Sequence, residues 1–236
     1  MKVLNLLDLR FAIRAGEMKP GVILLASALL LTLHKYFGSS QFLTKTYAGL
    51  TDFYAATFMF ITAFILLGIL PLLMISFLFK DSLKEYGLQM GDWRSGFTFI
   101  FWLFPIISIL MLYPSSNTQE MIVYYPLDKE AGASVFKFFR FEIIRVAFFY
   151  TAWEFFFRGF MLFGLRKYVG DWLAICIQTI PSCLWHIGLP AGEIFASIFG
   201  GILFGVMALK TNSILYPFIL HFLIGVTLDL LIVIQY

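Results

Sequence analysis

Long apolar segments constrain the fold of this chain more than any other feature of its sequence. Such segments follow one another from residue 21 to residue 234, and each has about 17 residues or more, enough for a helix to cross a hydrocarbon core of about 30 Å. They lack the alternating apolar and polar residues of an outer-membrane β-barrel. The sequence therefore predicts an all-α, polytopic membrane helical bundle of about seven transmembrane helices, which cover residues 21–37, 53–79, 96–113, 135–165, 171–187, 193–209 and 214–234.

The composition supports a membrane protein over a soluble one. Hydrophobic residues make up 61% of the chain and charged residues only 13%, about half the charged fraction of a typical soluble domain. The net charge of +3 comes from Lys and Arg beside the apolar segments, so we interpret it as a topology signal rather than as a nucleic-acid-binding surface. Membrane lipid is the first expected partner.

We divide the chain into three parts. Residues 1–19 form a basic lead-in that is expected at the membrane interface; it has no long apolar run, so no cleavable signal peptide is expected. Residues 20–134 hold the first three membrane helices and end in a loop, 114–134, that leans acidic. Residues 135–236 hold the last four helices and most of the buried polar residues.

The distribution of basic residues predicts the orientation. The lead-in carries four Lys or Arg and the loop 80–94 carries three, and with alternating helices Arg166, Lys167 and Lys210 lie on the same side. The opposite side carries fewer, namely Lys35, Lys45 and Lys129. The positive-inside rule then puts the N-terminus in the cytoplasm and the C-terminus outside. We expect an integral, multi-pass protein, in the plasma membrane if it is bacterial.

Two charged side chains stand inside the fourth apolar segment. Glu154 and Arg158 are four residues apart, so a helix places them on one face, where they can neutralise each other. A central Glu or Arg costs roughly 2.5 to 3.5 kcal/mol on insertion scales, and an ionisable residue at membrane depth therefore indicates a site. The alternative is an ion pair that only fixes helix packing.

Polar or small residues also recur every fourth position in each of the last three helices. The sets are Gln178, Ser182 and His186; Glu193, Ser197, Gly201 and Gly205; and His221, Gly225 and Asp229. At 1.5 Å per residue, Glu154, His186 and His221 lie about 16, 21 and 11 Å from the cytoplasmic ends of their helices and can meet inside the membrane. Glu193 and Asp229 come closer to the outer boundary, where solvated residues at helix ends are the alternative.

These residue types permit two kinds of hydrolytic site. In the first, His186, His221 and Glu193 bind Zn²⁺, which keeps an open position for water. In the second, Glu154 accepts a proton from water while the histidines hold the water and the developing oxyanion. The chain has no His-Glu-x-x-His sequence, so the common zinc-protease spacing is absent.

The order and spacing of these residues resemble the CPBP family of intramembrane proteases, which includes type II CAAX prenyl proteases and bacteriocin-processing relatives. The resemblance covers about residues 135–230 and rests on Glu154-x-x-x-Arg158, His186 in the next helix and His221 in the last. It implies a membrane helical bundle that cleaves peptide bonds. The implied catalytic set is Glu154, Arg158, His186 and His221.

The chain departs from the family pattern at three positions. The family motifs are Glu-Glu-x-x-x-Arg, Phe-x-x-x-His and His-x-x-x-Asn; here Trp153 replaces the first Glu, Ser182 the Phe and Gly225 the Asn. The resemblance assigns water activation to that first Glu, and Trp cannot act as a base. Either Glu154 is the base, or Glu193 supplies the missing carboxylate and Asp229 the polar group lost at Gly225.

Three functions remain open at this stage. The first is an intramembrane endopeptidase that cleaves a membrane-associated peptide or a lipidated protein by means of Glu154, Arg158, His186, His221 and Glu193. The second is an inactive homologue that serves as a scaffold, immunity or partner-binding protein. The third is a small proton-linked transporter, because intramembrane Glu, Arg and His also form proton relays.

Overall fold

The computed structural model describes residues 15–235, which form helices and connecting turns without any strand. The all-α prediction is confirmed. Residues 1–14 of the predicted lead-in lie outside the described residues. The helices are α1 (Met18–Phe37), α2 (Ser40–Thr46), α3 (Asp52–Phe79), α4 (Trp93–Ser115), α5 (Gln119–Tyr124), α6 (Val135–Val169), α7 (Asp171–Trp185), α8 (Ala191–Thr211) and α9 (Leu215–Gln235). Single 3₁₀ turns cover Ala15–Glu17, Leu83–Tyr86 and Ala131–Ala133.

All seven predicted membrane segments form helices. Six of them, namely α1, α3, α4, α6, α8 and α9, are long and apolar enough to cross a membrane. The seventh, α7, has 15 residues, about 22 Å at 1.5 Å per residue, and is shorter than the hydrocarbon core. The loop 114–134, predicted as a polar connection, contains the short helix α5.

The ends of the helices meet in two groups. At one end of the bundle, Lys19 at the start of α1 pairs with Asp81 after α3. At the same end the Asp92 N–H, before α4, donates to the Thr211 carbonyl at the end of α8, at 2.8 Å. We call this the basic end, because the Lys and Arg that the positive-inside rule assigns to the cytoplasm lie near it. Its cytoplasmic location stays a prediction.

The opposite end joins the other helix termini. The Lys35 ammonium near the end of α1 donates to the Trp185 carbonyl at the end of α7, at 2.7 Å. The Ser116 hydroxyl, just after α4, lies 3.4 Å from the side-chain oxygen of Gln235 at the end of α9. The short α7 therefore runs between the same two ends as its neighbours. Together with the six helices that are long enough to cross a membrane, it forms a set of seven that alternate in direction.

Helix α6 is the centre around which the bundle is built. In its most apolar stretch 72% of the residues are buried inside the protein, against 11% in α4. The aromatic residues Trp153, Phe156 and Phe160 fill the core between α6 and its neighbours. Two π-helical stretches, Arg145–Tyr150 and Phe155–Phe163, lie on either side of the α-helical turn that carries Glu154. Such wide turns are frequent at functional sites because they rotate side chains out of the regular helical register.

Candidate active site inside the bundle

Glu154 is the buried centre of a three-residue group. Its side chain is 0% exposed; Oε2 lies 3.2 Å from Nε of Arg158, and Oε1 lies 2.6 Å from Nδ1 of His221. A carboxylate only accepts hydrogen bonds, so Nδ1 of His221 carries the proton and donates. The prediction that Glu154 and Arg158 neutralise each other agrees with this geometry. Both carboxylate oxygens face cations or donors of the protein.

A cavity of about 250 Å³ lies between α4, α6, α7, α8 and α9; we call it the polar cavity because charged and polar side chains interrupt its mainly apolar wall. Its wall includes Arg158, His186, Glu193 and His221, which are four of the five residues predicted for catalysis. Glu154 does not line this cavity; it contributes instead to the wall of a larger, mainly apolar cavity of about 540 Å³ between α3, α6 and α9. The Glu154–His221 hydrogen bond therefore joins the walls of the two cavities.

His186 and Glu193 lie next to each other at the polar cavity. Nε2 of His186 is 3.8 Å from Oε1 of Glu193, and Nδ1 of His186 lies 2.7 Å from the Ser182 carbonyl. Since a carbonyl only accepts, Nδ1 carries the proton, and in the neutral ring Nε2 is left as an acceptor. Two acceptors cannot hydrogen-bond to each other, and a water molecule that donates to both can bridge the 3.8 Å between them.

Tyr125 holds Glu193 from the loop that follows α5. Its hydroxyl lies 3.0 and 2.8 Å from the two carboxylate oxygens of Glu193. Burial, followed by the negative charge of Glu193, raises the pKa of the Tyr125 hydroxyl well above its usual range, so the hydroxyl stays protonated and donates. The side chain of Glu193 is 25% exposed. Glu193 thus lies at a helix end and is partly exposed, as the predicted alternative has it, but its carboxylate is held by Tyr125.

Trp153, which replaces the first Glu of the family motif, is buried beside His186. The two rings are perpendicular, with centroids 5.6 Å apart, and Trp153 also packs edge-on against Trp185 at 4.8 Å. The indole lines the polar cavity. An aromatic wall thus stands where the family pattern has a carboxylate, and Glu193 approaches His186 from α8.

Asp229 belongs to a different polar cluster. It is fully buried, and its Oδ2 accepts a hydrogen bond of 2.8 Å from Nη1 of Arg145, which also lies 3.4 Å from Glu142. The alternative of a solvated Asp229 at a helix end is therefore wrong, because the last turns of α9 pack against α6. Asp229 does not line the polar cavity, and its carboxylate neutralises Arg145.

The space beside Gly225, where the family pattern has Asn, is occupied by Tyr150. A Cβ built on Gly225 would lie 1.7 Å from the Tyr150 hydroxyl oxygen. The Tyr150 ring also contacts His221 edge-on, with centroids 4.9 Å apart. Gly225 is thus required by the neighbouring tyrosine, and the polar group at this place comes from α6 instead of α9.

Zn²⁺ binding by His186, His221 and Glu193 stays a prediction. Among residues 15–235 no group of three or more His, Cys, Asp and Glu side chains lies close enough together to hold an ion. His186 and Glu193 are neighbours, but the Nδ1 of His221 is turned towards Glu154. His186, His221 and Glu193 line the same cavity, and the contact with Glu154 leaves Nε2 of His221 available to another partner.

Several residues of the site were missed in the sequence. Tyr125, Tyr150 and Arg145 all line the polar cavity. Arg145 is a charged residue inside an apolar segment, so the cost of burying it was an available signal. Tyr125 and Tyr150 carry no such signal, since tyrosine is common near membrane surfaces and in cores.

Fold and site together define a multi-pass helical membrane protein with carboxylates and imidazoles around an internal cavity. Residues 137–227 match the model of a protein family described as type II CAAX prenyl endopeptidase Rce1-like. The match confirms the resemblance to the CPBP family over this segment, which contains all five residues predicted for catalysis. Neither the curated proteins nor the solved structures gave a match.

Proposed function

We propose that this protein is an intramembrane endopeptidase of the CPBP type that hydrolyses a peptide bond of a membrane-associated or lipidated substrate. One observation carries the proposal: His186, Glu193 and His221 line a single cavity inside the membrane bundle. Water activation needs a carboxylate and a ring nitrogen within reach of one water molecule. The 3.8 Å between His186 and Glu193 meets this need.

Glu193 and His186 activate the water in this proposal. A water between them donates one hydrogen to Nε2 of His186 and the other to Oε1 of Glu193, so that an oxygen lone pair is free to attack. Glu193 then takes a proton from the water as the bond to the substrate carbonyl forms. Glu154 is less suited to this role because it is 0% exposed and both its oxygens face Arg158 and His221.

Glu154 and Arg158 position His221. The 2.6 Å hydrogen bond from Nδ1 of His221 fixes the orientation of the ring, and the ion pair with Arg158 holds the carboxylate in place at 3.2 Å. Because these groups are buried, the electrostatic interactions between them are stronger than at a protein surface. In this proposal Glu154 and Arg158 are positioning residues, whereas the sequence predicted them as members of the catalytic set.

The apolar cavity of about 540 Å³ is assigned to the hydrophobic part of the substrate. Its wall is made of residues such as Leu72, Leu88, Phe155 and Phe218. It reaches Glu154, and through the Glu154–His221 contact it lies next to the polar cavity. A substrate that carries a lipid or an apolar segment beside its scissile bond fits both cavities.

Trp153 favours a second candidate, an inactive homologue that binds a membrane partner. The indole takes the place of a family carboxylate and packs against His186. If the chain has lost catalysis, the polar cavity is a binding site and Glu193 a structural residue. Proteolysis by the purified protein separates the two functions.

The deciding experiment is a cleavage assay in proteoliposomes with fluorogenic membrane peptides, prenylated and unmodified. Wild type is compared with Glu193→Gln, His186→Ala and His221→Ala, and with Lys45→Met as a matched control at an exposed site. We expect cleavage to fall by at least about 100-fold in the three site variants and to persist in the control. Absence of cleavage by wild type, with the fold intact by circular dichroism, would establish the inactive homologue.

Two further predictions from the sequence are tested with the same vesicles. Zinc dependence predicts that a chelator abolishes cleavage and that added Zn²⁺ restores it; the carboxylate mechanism predicts no effect of either. Proton-linked transport predicts a pH change inside the vesicles that Glu154→Gln removes. A cleaving protein without such flux excludes the transporter.

A further inference from the structure

Tyr150 presents a hydroxyl group to the polar cavity, in the space that a side chain at position 225 would need. The residue is buried and lines the cavity. Its Oη lies so close to Gly225 that any Cβ there would come within 1.7 Å of the oxygen and 2.7 Å of Cζ. Its ring rests against His221 at 4.9 Å, and Cζ of Arg145 lies 5.1 Å from the ring centroid.

The hydroxyl forms no hydrogen bond to another group of residues 15–235. The nearby side chains of Arg145 and Tyr125 bind other partners. Nη1 of Arg145 donates to Asp229, and the Tyr125 hydroxyl contacts Glu193. The side chain of Tyr150 is buried, but its hydroxyl oxygen is not fully enclosed by protein, and it opens onto the cavity. The Tyr150 hydroxyl is therefore available to a bound substrate.

Peptide hydrolysis needs such a donor. Attack of water turns the carbonyl oxygen into an oxyanion, and removal of one donor that stabilises it lowers the rate by about 100- to 1,000-fold in known enzymes. The two histidines are unsuited to this role while neutral, because each uses Nδ1–H for another partner, Glu154 or the Ser182 carbonyl, and Nε2 then only accepts.

We propose that the Tyr150 hydroxyl donates a hydrogen bond to the oxyanion of the tetrahedral intermediate. The inference rests on the proposed protease function. The water oxygen bonds to the carbonyl carbon while one water proton passes to Glu193, and the carbonyl π electrons move to the oxygen that Tyr150 holds. When that oxygen reforms the double bond, the C–N bond breaks, and the nitrogen leaves as an amine with the proton from Glu193.

Tyr150→Phe tests the proposal because it removes one oxygen atom and keeps the ring beside His221. We expect kcat on a fluorogenic membrane peptide to fall by about 100-fold, with KM, Tm and the pH profile unchanged. Tyr113→Phe is the control, since Tyr113 is an exposed tyrosine of α4, and it should leave all four values unchanged.

A double substitution that moves the donor from position 150 to position 225 should restore activity. Tyr150→Leu removes the hydroxyl and Cζ, so that Asn at position 225 then has room for its amide N–H₂ donor. Tyr150→Leu/Gly225→Asn should recover at least about ten-fold of the kcat lost in Tyr150→Leu, since one donor to the oxyanion accounts for about 100- to 1,000-fold in rate in known enzymes. Gly225→Asn alone should be unstable, because its side chain meets Tyr150.

The outcomes separate this proposal from the protease function itself. If wild type cleaves and Tyr150→Phe cleaves equally well, the role of Tyr150 is overturned and the protease stands. If Tyr150→Phe loses activity through a higher KM or a lower Tm, the hydroxyl serves binding or packing, and the proposal fails as well. If wild type cleaves no peptide, both proposals fall together.

Discussion

Nδ1 of His221 lies 2.6 Å from Oε1 of Glu154, across 67 residues of sequence. The contact joins the first turns of α9 to the middle of α6, and it fixes the side of the His221 ring that remains for the polar cavity. In the proposed mechanism this buried carboxylate, which binds both a histidine and an arginine, positions His221 and does not act as the base. Substitutions in the Glu154–Arg158–His221 group and around it should therefore have distinct effects.

Removal of one member of the buried ion pair should be more destabilising than removal of both. Glu154→Ala leaves the Arg158 guanidinium without a countercharge in a buried site, which typically costs about 3–5 kcal/mol. Glu154→Ala/Arg158→Met removes the unpaired charge and should recover much of that loss. Thermal unfolding in detergent micelles measures the difference; equal Tm values for the single and double variants would contradict a buried, coupled pair.

Loss of the Tyr125 hydroxyl should release Glu193. In Tyr125→Phe the carboxylate loses its donor, and a hydrogen bond to a charged group is worth about 1.5–3 kcal/mol. We expect a lower Tm and a several-fold lower kcat, because Glu193 no longer keeps its position beside His186. Tyr124→Phe, one residue earlier in the chain, is the control. A Tyr125→Phe variant with wild-type kinetics would show that Glu193 needs no such support.

Replacement of glycine by alanine should have opposite effects on stability at positions 225 and 200. Gly225→Ala places a methyl group 1.7 Å from the Tyr150 hydroxyl, and overpacking of this kind typically costs about 1–3 kcal/mol. Gly200→Ala meets nothing within 4 Å and should be neutral or stabilise α8 by up to about 1 kcal/mol. Unfolding curves of the two variants give the comparison; a stable Gly225→Ala protein would mean that Tyr150 can leave its place.

Lys35 should position His186 although it lies outside the family match. Its ammonium binds the carbonyls of Trp185 at 2.7 Å and Ile187 at 3.2 Å, on either side of His186. Lys35→Met keeps most of the side-chain stem and removes both bonds, so we expect a lower kcat with little change in KM. Lys35→Arg should retain more activity than Lys35→Met. Equal activity of all three proteins would show that α7 needs no clamp from α1.

The sequence by itself determined that the chain is a helical membrane protein and that Glu154 and Arg158 are charged residues inside one of its apolar segments. Seven apolar segments had to become helices, because a backbone in hydrocarbon must satisfy its own hydrogen bonds. Glu154 and Arg158 were recognised because burial of a charge in a membrane is costly whichever way the helix is rotated. Their pairing followed from the four-residue spacing. The resemblance of residues 135–230 to one family was likewise readable from three short motifs.

Only the tertiary structure decided which groups meet. Glu193 lies 3.8 Å from His186 because of how α7 and α8 are rotated about their axes, and Tyr150 fills the space beside Gly225 because of how α6 and α9 are rotated. Asp229 faces the interior and binds Arg145. Its position along the helix axis gave its depth in the membrane but not the direction of its side chain. Helix formation and the cost of buried charge are properties of a local segment, whereas rotation is set by packing against every neighbour at once. For that reason the helices could be predicted from the chain and the chemistry of the cavity could not.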